Sequence, residues 1–568
     1  MTTHRPPTHC PPASDLRFQL FSFSAFQHLS GHRLLRALVA ISLANLCYLR
    51  IWDVLLHHPE HNYLAATPHN PVDYIAAIIG EGLLAAGLYF VIQAAWQRDR
   101  RWLRAIAMLA VLVVFLLPLD FVRRSSGLTF EGVAGSNRYL LIIGVSAALL
   151  LAALVFRQRF YAVLFWLLAI LSPYAAVNLA YAVVNVASPG KEPPRAQLPG
   201  RAVEPGYVAK NRVIWVIFDE WDQAALFDRR PAGVKLPVLD EFVKQSVMAT
   251  QAFPPAGNTL LSLPALLTGR PVSAAEGRGD SELRLKYSGD NEWRDFRSSD
   301  NIIIEMLRAG KKVAVFGWYH PYGQILPASP NLTVRSWGFP SSQGFRCSNV
   351  VSAVAAQYGF LALPRYGRMM TRDPYAGMEA AALAAVADPS IDFVFLHYGI
   401  PHTPGIYDPA EHRLSAVLRP NTAGYCNNLA LVDRTMGELA AEVGKTGLSA
   451  STAFILTSDH WWRSSSWSER APDYRVPLII RAGNDGPAAA VATPLCTVNL
   501  PGLVTKMLDG TVSDTAGVVG WLEEKHGPLP VGYIKEVAQW PKPNPVAVQA
   551  ETMNRSTGTR ASEPLSRR

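Results

Sequence analysis

The chain has 568 residues, of which 49% are hydrophobic and 17% charged, and its formal net charge is +9. This length allows two or three domains. The charged fraction argues against a protein that lies wholly in a membrane, and no nucleic-acid-binding module accompanies the positive charge. Part of that charge lies in basic loops between apolar segments, for which anionic lipid headgroups are natural partners.

Five apolar segments occupy the first third of the chain. Each approaches the roughly 20 residues that a helix needs to cross a bilayer. The first 32 residues contain no signal-peptide core, so we expect a cytoplasmic tail over residues 1–32 and a five-helix transmembrane domain over residues 33–186. The segments are about Leu34–Leu56, Val72–Trp96, Leu103–Val122, Tyr139–Phe156 and Phe160–Val184.

The distribution of arginine predicts the orientation of these segments. The loop Gln97–Arg104 after the second segment is rich in Arg, whereas the loop His57–Asp73 after the first has no Lys or Arg. Positive residues favour the cytoplasmic side. Arg123 and Arg124 give a weaker signal in the opposite sense. We therefore expect a multi-pass protein of the inner (cytoplasmic) membrane, with everything after the fifth segment periplasmic or extracellular.

Three cysteines follow the apolar segments, where an exported domain permits disulfides. They are Cys347, Cys426 and Cys496. An odd number allows at most one bridge among them, and we choose Cys347–Cys426 as the predicted pair.

Residues 211–525 alternate between short apolar strands and amphipathic helices, after a Pro- and Gly-rich linker over residues 187–210. This alternation predicts an α/β domain with a mostly parallel sheet sandwiched by helices. Ligand sites in such sheets lie at the carboxyl ends of strands. Residues 526–568 read as a disordered tail. The predicted strands are Val213–Phe218, Val313–Phe316, Asp392–Leu396, Ala453–Leu456 and Arg475–Ile480, and the predicted helices are Val238–Ser246, Asn301–Arg308 and Leu429–Val443.

Polar residues with metal-binding chemistry follow two of these strands. Asp219 and Glu220 end the first strand, and Asp459 and His460 follow the strand Ala453–Leu456. Carboxylate oxygens and an imidazole suit Zn²⁺ or Mn²⁺. The alternative for Asp219 is that it caps the helix that follows.

Thr259 stands where a loop turns into a short apolar helix, within Asn258–Gly269. A helix N-terminus favours an anionic phosphoryl group, and a nearby metal lowers the pKa of a hydroxyl so that it becomes a nucleophile. The alternative is an ordinary N-terminal helix residue, because Thr is common there for capping reasons. A hydroxyl, two carboxylates and an imidazole can together attack a phosphorus or sulfur ester.

Three further features have open interpretations. His397 and His402 follow the strand Asp392–Leu396, in a loop where either could make structural hydrogen bonds. The segment Trp318–Tyr322 follows another strand and could line a pocket or only pack. Glu81 lies in the middle of the second apolar segment, where a carboxylate costs roughly 3 kcal/mol or more. It could bind a lipid headgroup or a partner, or face the interior of the protein.

Taken in order, these motifs resemble the alkaline phosphatase superfamily, in its sulfatase and phosphoethanolamine-transferase branch. Thr259, Ser262 and Pro264 match the transferase spacing, and Thr268-Gly269 stands where sulfatases have Thr-Gly. The sulfatase Cys/Ser-x-Pro-x-Arg signature is absent. Lipoteichoic acid synthases share the design of one carboxylate, one Thr and then Asp-His.

The resemblance implies a role for each site residue. Asp219, Thr259, Asp459 and His460 would hold one divalent metal, Zn or Mn, with Glu220 in the place of the second Asp of sulfatases. His402, and in second place His397, would bind the phosphoryl group or protonate the leaving alcohol. Trp461 departs from the Gly that usually follows Asp-His, although lipoteichoic acid synthases accept an aromatic residue there.

We therefore expect a membrane-anchored, metal-dependent phosphotransferase. Thr259 would act as nucleophile on the headgroup diester of a membrane phospholipid donor, and the group would pass to an envelope lipid or glycan acceptor. The alternatives are a sulfatase-like hydrolase of phosphate or sulfate esters, and a catalytically silent membrane partner that keeps the fold.

Overall fold

The computed structural model describes residues 33–57, 70–97, 101–116, 157–187, 195–278, 282–337, 347–362, 366–415, 421–463, 473–483 and 486–524, together with a few isolated positions between 144 and 155. Within these ranges the helices are α1 (Arg33–Trp52), α2 (Pro71–Gln97), α3 (Arg101–Leu116), α4 (Arg157–Leu171), α5 (Pro173–Ala187), α6 (Pro237–Val243), α7 (Thr259–Thr268), α8 (Ile302–Arg308), α9 (Tyr322–Ile325), α10 (Val350–Ala362), α11 (Tyr366–Ala387), α12 (Asn421–Lys445), α13 (Leu500–Leu508) and α14 (Thr515–Glu524).

The strands in the same ranges are β1 (Arg212–Asp219), β2 (Val247–Ala249), β3 (Ala252–Phe253), β4 (Val272–Arg278), β5 (Glu282–Tyr287), β6 (Trp293–Asp295), β7 (Val313–Trp318), β8 (Leu332–Trp337), β9 (Phe393–Pro401), β10 (Tyr407–Asp408), β11 (Arg413–Leu414), β12 (Thr452–Thr457), β13 (Leu478–Arg481), β14 (Ala489–Val491) and β15 (Leu495–Cys496).

The chain divides into two compact units. The helical unit comprises Met1–His57, Asn70–Gly190 and Phe345–Ala362, and the α/β unit comprises His58–His69, Lys191–Gly344 and Leu363–Arg568. The chain passes from the helical unit to the α/β unit between residues 190 and 191, inside the segment predicted as a linker. The segment Phe345–Ala362 also belongs with the helical unit, although it lies far along the chain.

Within the described residues, the helical unit contains three helices that are long and apolar enough to cross a membrane, at Arg33–Trp52, Pro71–Ala95 and Arg159–Ala187. The last of these has a turn at Ser172, where Pro173 begins α5, as expected because proline restricts the residue before it. The third predicted segment overlaps α3, of which the structure describes 16 residues. The fourth, Tyr139–Phe156, lies almost entirely outside the described residues, as do the two predicted tails.

Polar contacts join the helices of this unit. The Glu81 carboxylate accepts hydrogen bonds from Asn45 Nδ2 at 3.1 Å and from Trp52 Nε1 at 2.6 Å, so both of its oxygens have donors inside the protein. Helix α10 docks on α2 through Gln357 Nε2, which donates to the Asp73 carbonyl at 3.0 Å, and through the Tyr358 hydroxyl, which donates to the Gly80 carbonyl at 2.7 Å.

An eight-stranded sheet with the order β14-β2-β13-β12-β1-β9-β7-β8 is the centre of the α/β unit. Neighbouring strands from β12 to β8 are all parallel, and β13 is antiparallel to both of its neighbours. The predicted mostly parallel sheet is therefore confirmed. Every residue of β1 is buried, as a strand covered on both faces requires.

The side chains of β1 alternate between two hydrophobic cores, one on each face of the sheet. Val213, Trp215 and Ile217 face the first core, which α7, α8, α13 and α14 complete. Ile214, Val216 and Phe218 face the second, which α6, α11 and α12 complete. These layers hold the sheet rigidly, so the residues at the carboxyl ends of its central strands have defined positions.

The predicted Cys347–Cys426 disulfide is wrong, because Cys426 carries a free thiol in the structure. The two cysteines belong to different compact units, and their separation in the sequence held no information about this.

Candidate metal centre and nucleophile

Four adjacent parallel strands, in the order β12-β1-β9-β7, bring the predicted site residues to one edge of the sheet. Asp219 is the last residue of β1, and Asp459 follows β12 by two residues. His402 follows β9 directly, and its backbone N–H donates to the Asp219 carbonyl at 3.1 Å. The expectation of a site at strand ends therefore corresponds to a real cluster.

Asp219, Asp459 and His460 can converge on one ion. Each offers a ligand atom within 4.8 Å of the others, and all three side chains are buried. His460 Nε2 lies 3.6 Å from Asp219 Oδ1 and 3.4 Å from Asp459 Oδ2. These two carboxylate oxygens are buried and have no hydrogen-bond partner among the described residues, and such atoms are costly unless a ligand compensates them.

Backbone contacts orient the ligands of this cluster. Asp459 Oδ1 accepts from the His460 N–H at 2.9 Å, which leaves Oδ2 directed at the centre. His460 Nδ1 lies 2.9 Å from the Trp461 carbonyl. A carbonyl can only accept, so Nδ1 carries the proton and the lone pair of Nε2 points into the cluster, as metal-binding histidines require.

Thr259 completes the cluster. It is the first residue of α7, and the Asn258 side chain caps this helix by accepting from the Leu261 N–H at 3.1 Å. Thr259 Oγ1 lies 3.3 Å from His460 Nε2. The Ser262 hydroxyl donates to the Ala256 carbonyl at 2.8 Å and so ties the helix to the loop before it. The hydroxyl thus stands at a helix N-terminus beside the buried acids.

Glu220 lies next to the cluster but is directed elsewhere. Its carboxylate pairs with Arg463 Nε at 3.0 Å, and it is not among the residues that converge with Asp219. Its φ of 63° is unusual for a residue other than glycine. The Tyr425 hydroxyl donates to its carbonyl at 2.8 Å, which helps to hold this turn at the end of β1.

His397 lies inside β9, and the expectation of a loop position for it is wrong because β9 extends to Pro401. It pairs in register with Ile217 of β1, two residues before Asp219. His397 Nδ1 lies 3.2 Å from the Tyr322 hydroxyl. Gly317 on the next strand makes room for both side chains, because a Cβ there would lie 2.4 Å from the Tyr322 ring and 3.2 Å from the His397 Cβ.

His320 is a site residue that the sequence motifs did not single out by itself. Its Nε2 lies 3.3 Å from the Thr259 carbonyl oxygen, so it contacts the backbone of the candidate nucleophile. Burial lowers the pKa of His320 to about 3 and that of His397 to about 4. Both imidazoles are therefore neutral at pH 7. His320 follows β7, and only the strand order shows that β7 is the neighbour of β9.

The pKa values of the two carboxyl groups in the cluster are shifted in opposite directions. Burial, with the charges of Asp459 and Glu220, holds the pKa of Asp219 well above its ordinary value. Burial also acts to raise the pKa of Asp459, but the nearby His460 and His397 hold it below its ordinary value. Perturbed, closely spaced groups of this kind are typical of functional sites.

Two aromatic side chains border the cluster. The Trp318 ring lies 5.6 Å from the His402 ring and 6.4 Å from the His397 ring. Trp461 packs on Gly257, two residues before Thr259, where a Cβ would lie only 2.6 Å from the indole. The aromatic residue that follows Asp-His is therefore matched by a glycine in the nucleophile loop.

Part of the chain is similar to a known protein family. Residues 222–471 match the family model described as type I phosphodiesterase / nucleotide pyrophosphatase. No match was found among curated protein sequences.

Solved structures that resemble the chain do so at low identity. A phosphonate monoester hydrolase of Agrobacterium radiobacter is 14% identical, with 52% of this chain and 73% of that chain covered at a TM-score of 0.37. The PsFucS1 sulfatase from Pseudoalteromonas sp. is 14% identical, with 53% and 68% covered at 0.37. A protein in the alkaline phosphatase superfamily from Vibrio parahaemolyticus is 11% identical, with 54% and 71% covered at 0.35.

The family match includes Thr259, Asp459 and His460, and the strand that ends in Asp219 lies immediately before it. Over residues 222–471 the chain is therefore similar to the type I phosphodiesterase / nucleotide pyrophosphatase family.

Proposed function

We propose that the protein is a metal-dependent phosphotransferase that uses Thr259 as its nucleophile on the headgroup diester of a membrane phospholipid. The observation that carries the proposal is the 3.3 Å approach of Thr259 Oγ1 to His460 Nε2 at the N-terminus of α7. Beside it stand the unpartnered oxygens of Asp219 and Asp459.

The donor set fits one divalent cation. Asp219 Oδ1, Asp459 Oδ2 and His460 Nε2 would hold it, with Thr259 Oγ1 as a fourth ligand. Two hard oxygens and one imidazole suit Zn²⁺ or Mn²⁺. When bound, the cation supplies Lewis acidity to the phosphoryl oxygens and lowers the pKa of the threonine hydroxyl. Glu220 stays a weaker candidate because Arg463 already neutralises its carboxylate.

The chain's own residues account for a two-step transfer. Thr259 Oγ loses its proton and forms a bond to phosphorus, while the bond from phosphorus to the oxygen of the leaving alcohol breaks. The N-terminus of α7 stabilises the negative charge on the phosphoryl group. In the second step an acceptor hydroxyl attacks the phosphothreonine, and Thr259 is released.

His402 suits the transfer of a proton to the leaving alcohol. Its Nδ1 lies 2.5 Å from the Thr403 carbonyl, which leaves Nε2 for a ligand, and its side chain is only half-buried. His397 is fully buried inside β9. It suits a contact to a phosphoryl oxygen better than proton transfer to a departing group, because a neutral, enclosed imidazole exchanges protons poorly.

Two observations support a lipid donor and an envelope acceptor. The part of the chain that the structure describes carries three helices that are apolar and long enough to cross a membrane. Tethering of this kind raises the effective concentration of lipid substrates to roughly millimolar. Thr259, Ser262 and Pro264 follow the transferase spacing. The acceptor would be an envelope lipid or glycan on the periplasmic or extracellular side of a cytoplasmic membrane.

The test is incubation of the purified, metal-loaded protein with phosphatidylethanolamine or phosphatidylglycerol vesicles. We expect release of diacylglycerol and a covalent adduct on Thr259, detected by peptide mass mapping. Thr259→Ala should abolish both, and Thr259→Ser should retain part of the turnover. His402→Ala should slow adduct formation without changing the amount of metal bound.

A second candidate is hydrolysis of phosphodiesters with water as the acceptor, which the phosphodiesterase family match favours. Rapid cleavage of a small soluble diester, with no diacylglycerol from either lipid, would replace the transferase proposal with this one. Rapid cleavage of an aryl sulfate would assign the site to sulfate esters, although the sulfatase signature is absent.

A further inference from the structure

A polar cavity of about 530 Å³ lies beside the small antiparallel sheet β4-β5-β6 of the α/β unit. Its wall includes Thr268, the last residue of α7. The ten residues of this helix, at a rise of 1.5 Å each, place the cavity roughly 14 Å from Thr259. The cavity is therefore separate from the metal centre, and its size lies in the range of small-ligand sites.

An exposed indole forms one wall. Trp293 is 38% exposed, whereas the other tryptophans in the described part of the α/β unit are less exposed. Trp293 pairs directly with Lys286 across β5 and β6, and the Arg284 guanidinium lies 5.8 Å from the centre of its ring. The ring is thus held at the rim with a face available to a ligand, and such amphipathic rings suit polar ligands with an apolar face.

Arg270 also lines the cavity. The Arg270 guanidinium stands 3.8 Å from the centre of the Tyr287 ring, and no ion pair to it occurs among the residues that the structure describes. By contrast, Arg294 pairs with Asp290 at 3.0 Å and Arg297 pairs with Asp295 at 3.1 Å. The Arg270 guanidinium is planar and lies over the Tyr287 ring. Its N–H groups make no ion pair with a described carboxylate, so they are suited to bind a carboxylate or sulfate group of a ligand.

Hydroxyl groups complete the lining. The hydroxyls of Ser298 and Ser299 donate to the Asp295 carbonyl at 2.8 and 3.1 Å, so their lone pairs remain as acceptors. The Asp295 carboxylate is engaged by Arg297 and by the Arg297 backbone N–H. The Asp300 carboxylate also lines the cavity and pairs with Arg308 at 2.8 Å. The cavity therefore offers an aromatic face, hydroxyl acceptors and the Arg270 guanidinium, which makes no ion pair with any described residue.

We propose that this cavity is a binding subsite for an anionic saccharide, with a sugar ring on Trp293 and its acid group on Arg270. A free inorganic anion gains nothing from the indole. A neutral sugar can accept hydrogen bonds from Arg270 but gains no attraction between opposite charges, so the two side chains together favour a sugar ring that carries an acid group. The inference does not depend on the metal centre or on the reaction assigned to it.

The test measures binding to the full-length protein in detergent by isothermal titration calorimetry. The probes are a disaccharide that contains glucuronate, its neutral glucose counterpart and inorganic sulfate. We expect the acidic disaccharide to bind at least tenfold more tightly than the other two. Trp293→Ala should weaken both sugars about tenfold, and Arg270→Gln should reduce the acidic sugar to the affinity of the neutral one. Trp293→Tyr, which keeps an aromatic face, should retain most of the binding.

Two controls separate the outcomes. Arg201→Gln removes an exposed positive charge elsewhere and should leave binding unchanged, so a drop would reveal nonspecific attraction. Asp459→Asn should also bind the sugar normally, which keeps this result independent of the reaction at Thr259. Equal affinities of wild type, Trp293→Ala and Arg270→Gln for the acidic disaccharide would overturn the proposal, as would sulfate binding as tightly as the disaccharide.

Discussion

Replacing Glu379 by Gln should make the protein more stable at alkaline pH. Glu379 is buried on α11, and its Oε2 accepts from the Tyr398 hydroxyl at 2.5 Å. Burial raises the pKa of Glu379 to about 8, and Glu438 acts in the same sense, while Arg434 and the Tyr398 hydrogen bond oppose this. Tyr375 is close enough to feel its charge. Glu379 is therefore protonated in the folded protein at neutral pH.

The sign of the effect follows from this raised pKa. The stability that the protonated Glu379 contributes is fully present below its unfolded pKa of about 4.5, and it is lost as the pH rises through about 8. At 1.36 kcal/mol for each pKa unit, the full loss is about 5 kcal/mol. For a unit of this size it corresponds to a fall in Tm on the order of 10 °C.

The assay is thermal unfolding of the full-length protein in detergent, followed by tryptophan fluorescence from pH 5 to pH 9. Subtracting the Tm of the wild type from that of Glu379→Gln at each pH cancels the contributions of the other titrating groups. We expect the Tm of the variant, relative to that of the wild type, to rise steadily above pH 5. The reason is that Gln can still accept a hydrogen bond from Tyr398 but cannot ionise. Glu241→Gln, at a fully exposed position, is the matched control and should follow the wild type. A difference in Tm between wild type and Glu379→Gln that stays constant from pH 5 to pH 9 would refute the reasoning.

Three further predictions concern the candidate site. Gly257→Ala should reduce activity, because the new Cβ would lie 2.6 Å from Trp461. The double variant Gly257→Ala/Trp461→Leu should recover part of the lost activity, and a double variant as inactive as the single one would contradict the packing argument. Arg463→Gln should lower the free energy of unfolding by about 1–3 kcal/mol, since it leaves the buried Glu220 carboxylate without its partner; the double variant with Glu220→Gln should be more stable than the single one in denaturant titrations. Metal analysis should find one divalent ion per chain. Chelation and Asp459→Asn should each remove this ion and lower the Tm. Absence of bound metal, together with a Tm that neither treatment changes, would favour a catalytically silent protein.

The sequence by itself determined the parts of this protein that depend on local patterns. The buried strand β1 is a continuous apolar run that stops at Asp219, so both the strand and its polar end are visible in a few residues. The same is true of β12, which ends shortly before Asp459-His460, and of α7, whose Asn258 cap stands directly before Thr259. Because parallel strands place their carboxyl ends along one edge, these local signals were enough to predict the cluster.

The tertiary structure alone decided which neighbours each side chain has. Arg463 neutralises Glu220 from 243 positions away, and His320 reaches the Thr259 carbonyl only because β7 lies beside β9 in the sheet. The length of β9, and with it the burial of His397, depends on pairing with β1 rather than on residue preference. Helix α10 joins the helical unit through Gln357 and Tyr358. Contacts between residues far apart in the chain depend on strand order and packing, which no local pattern contains.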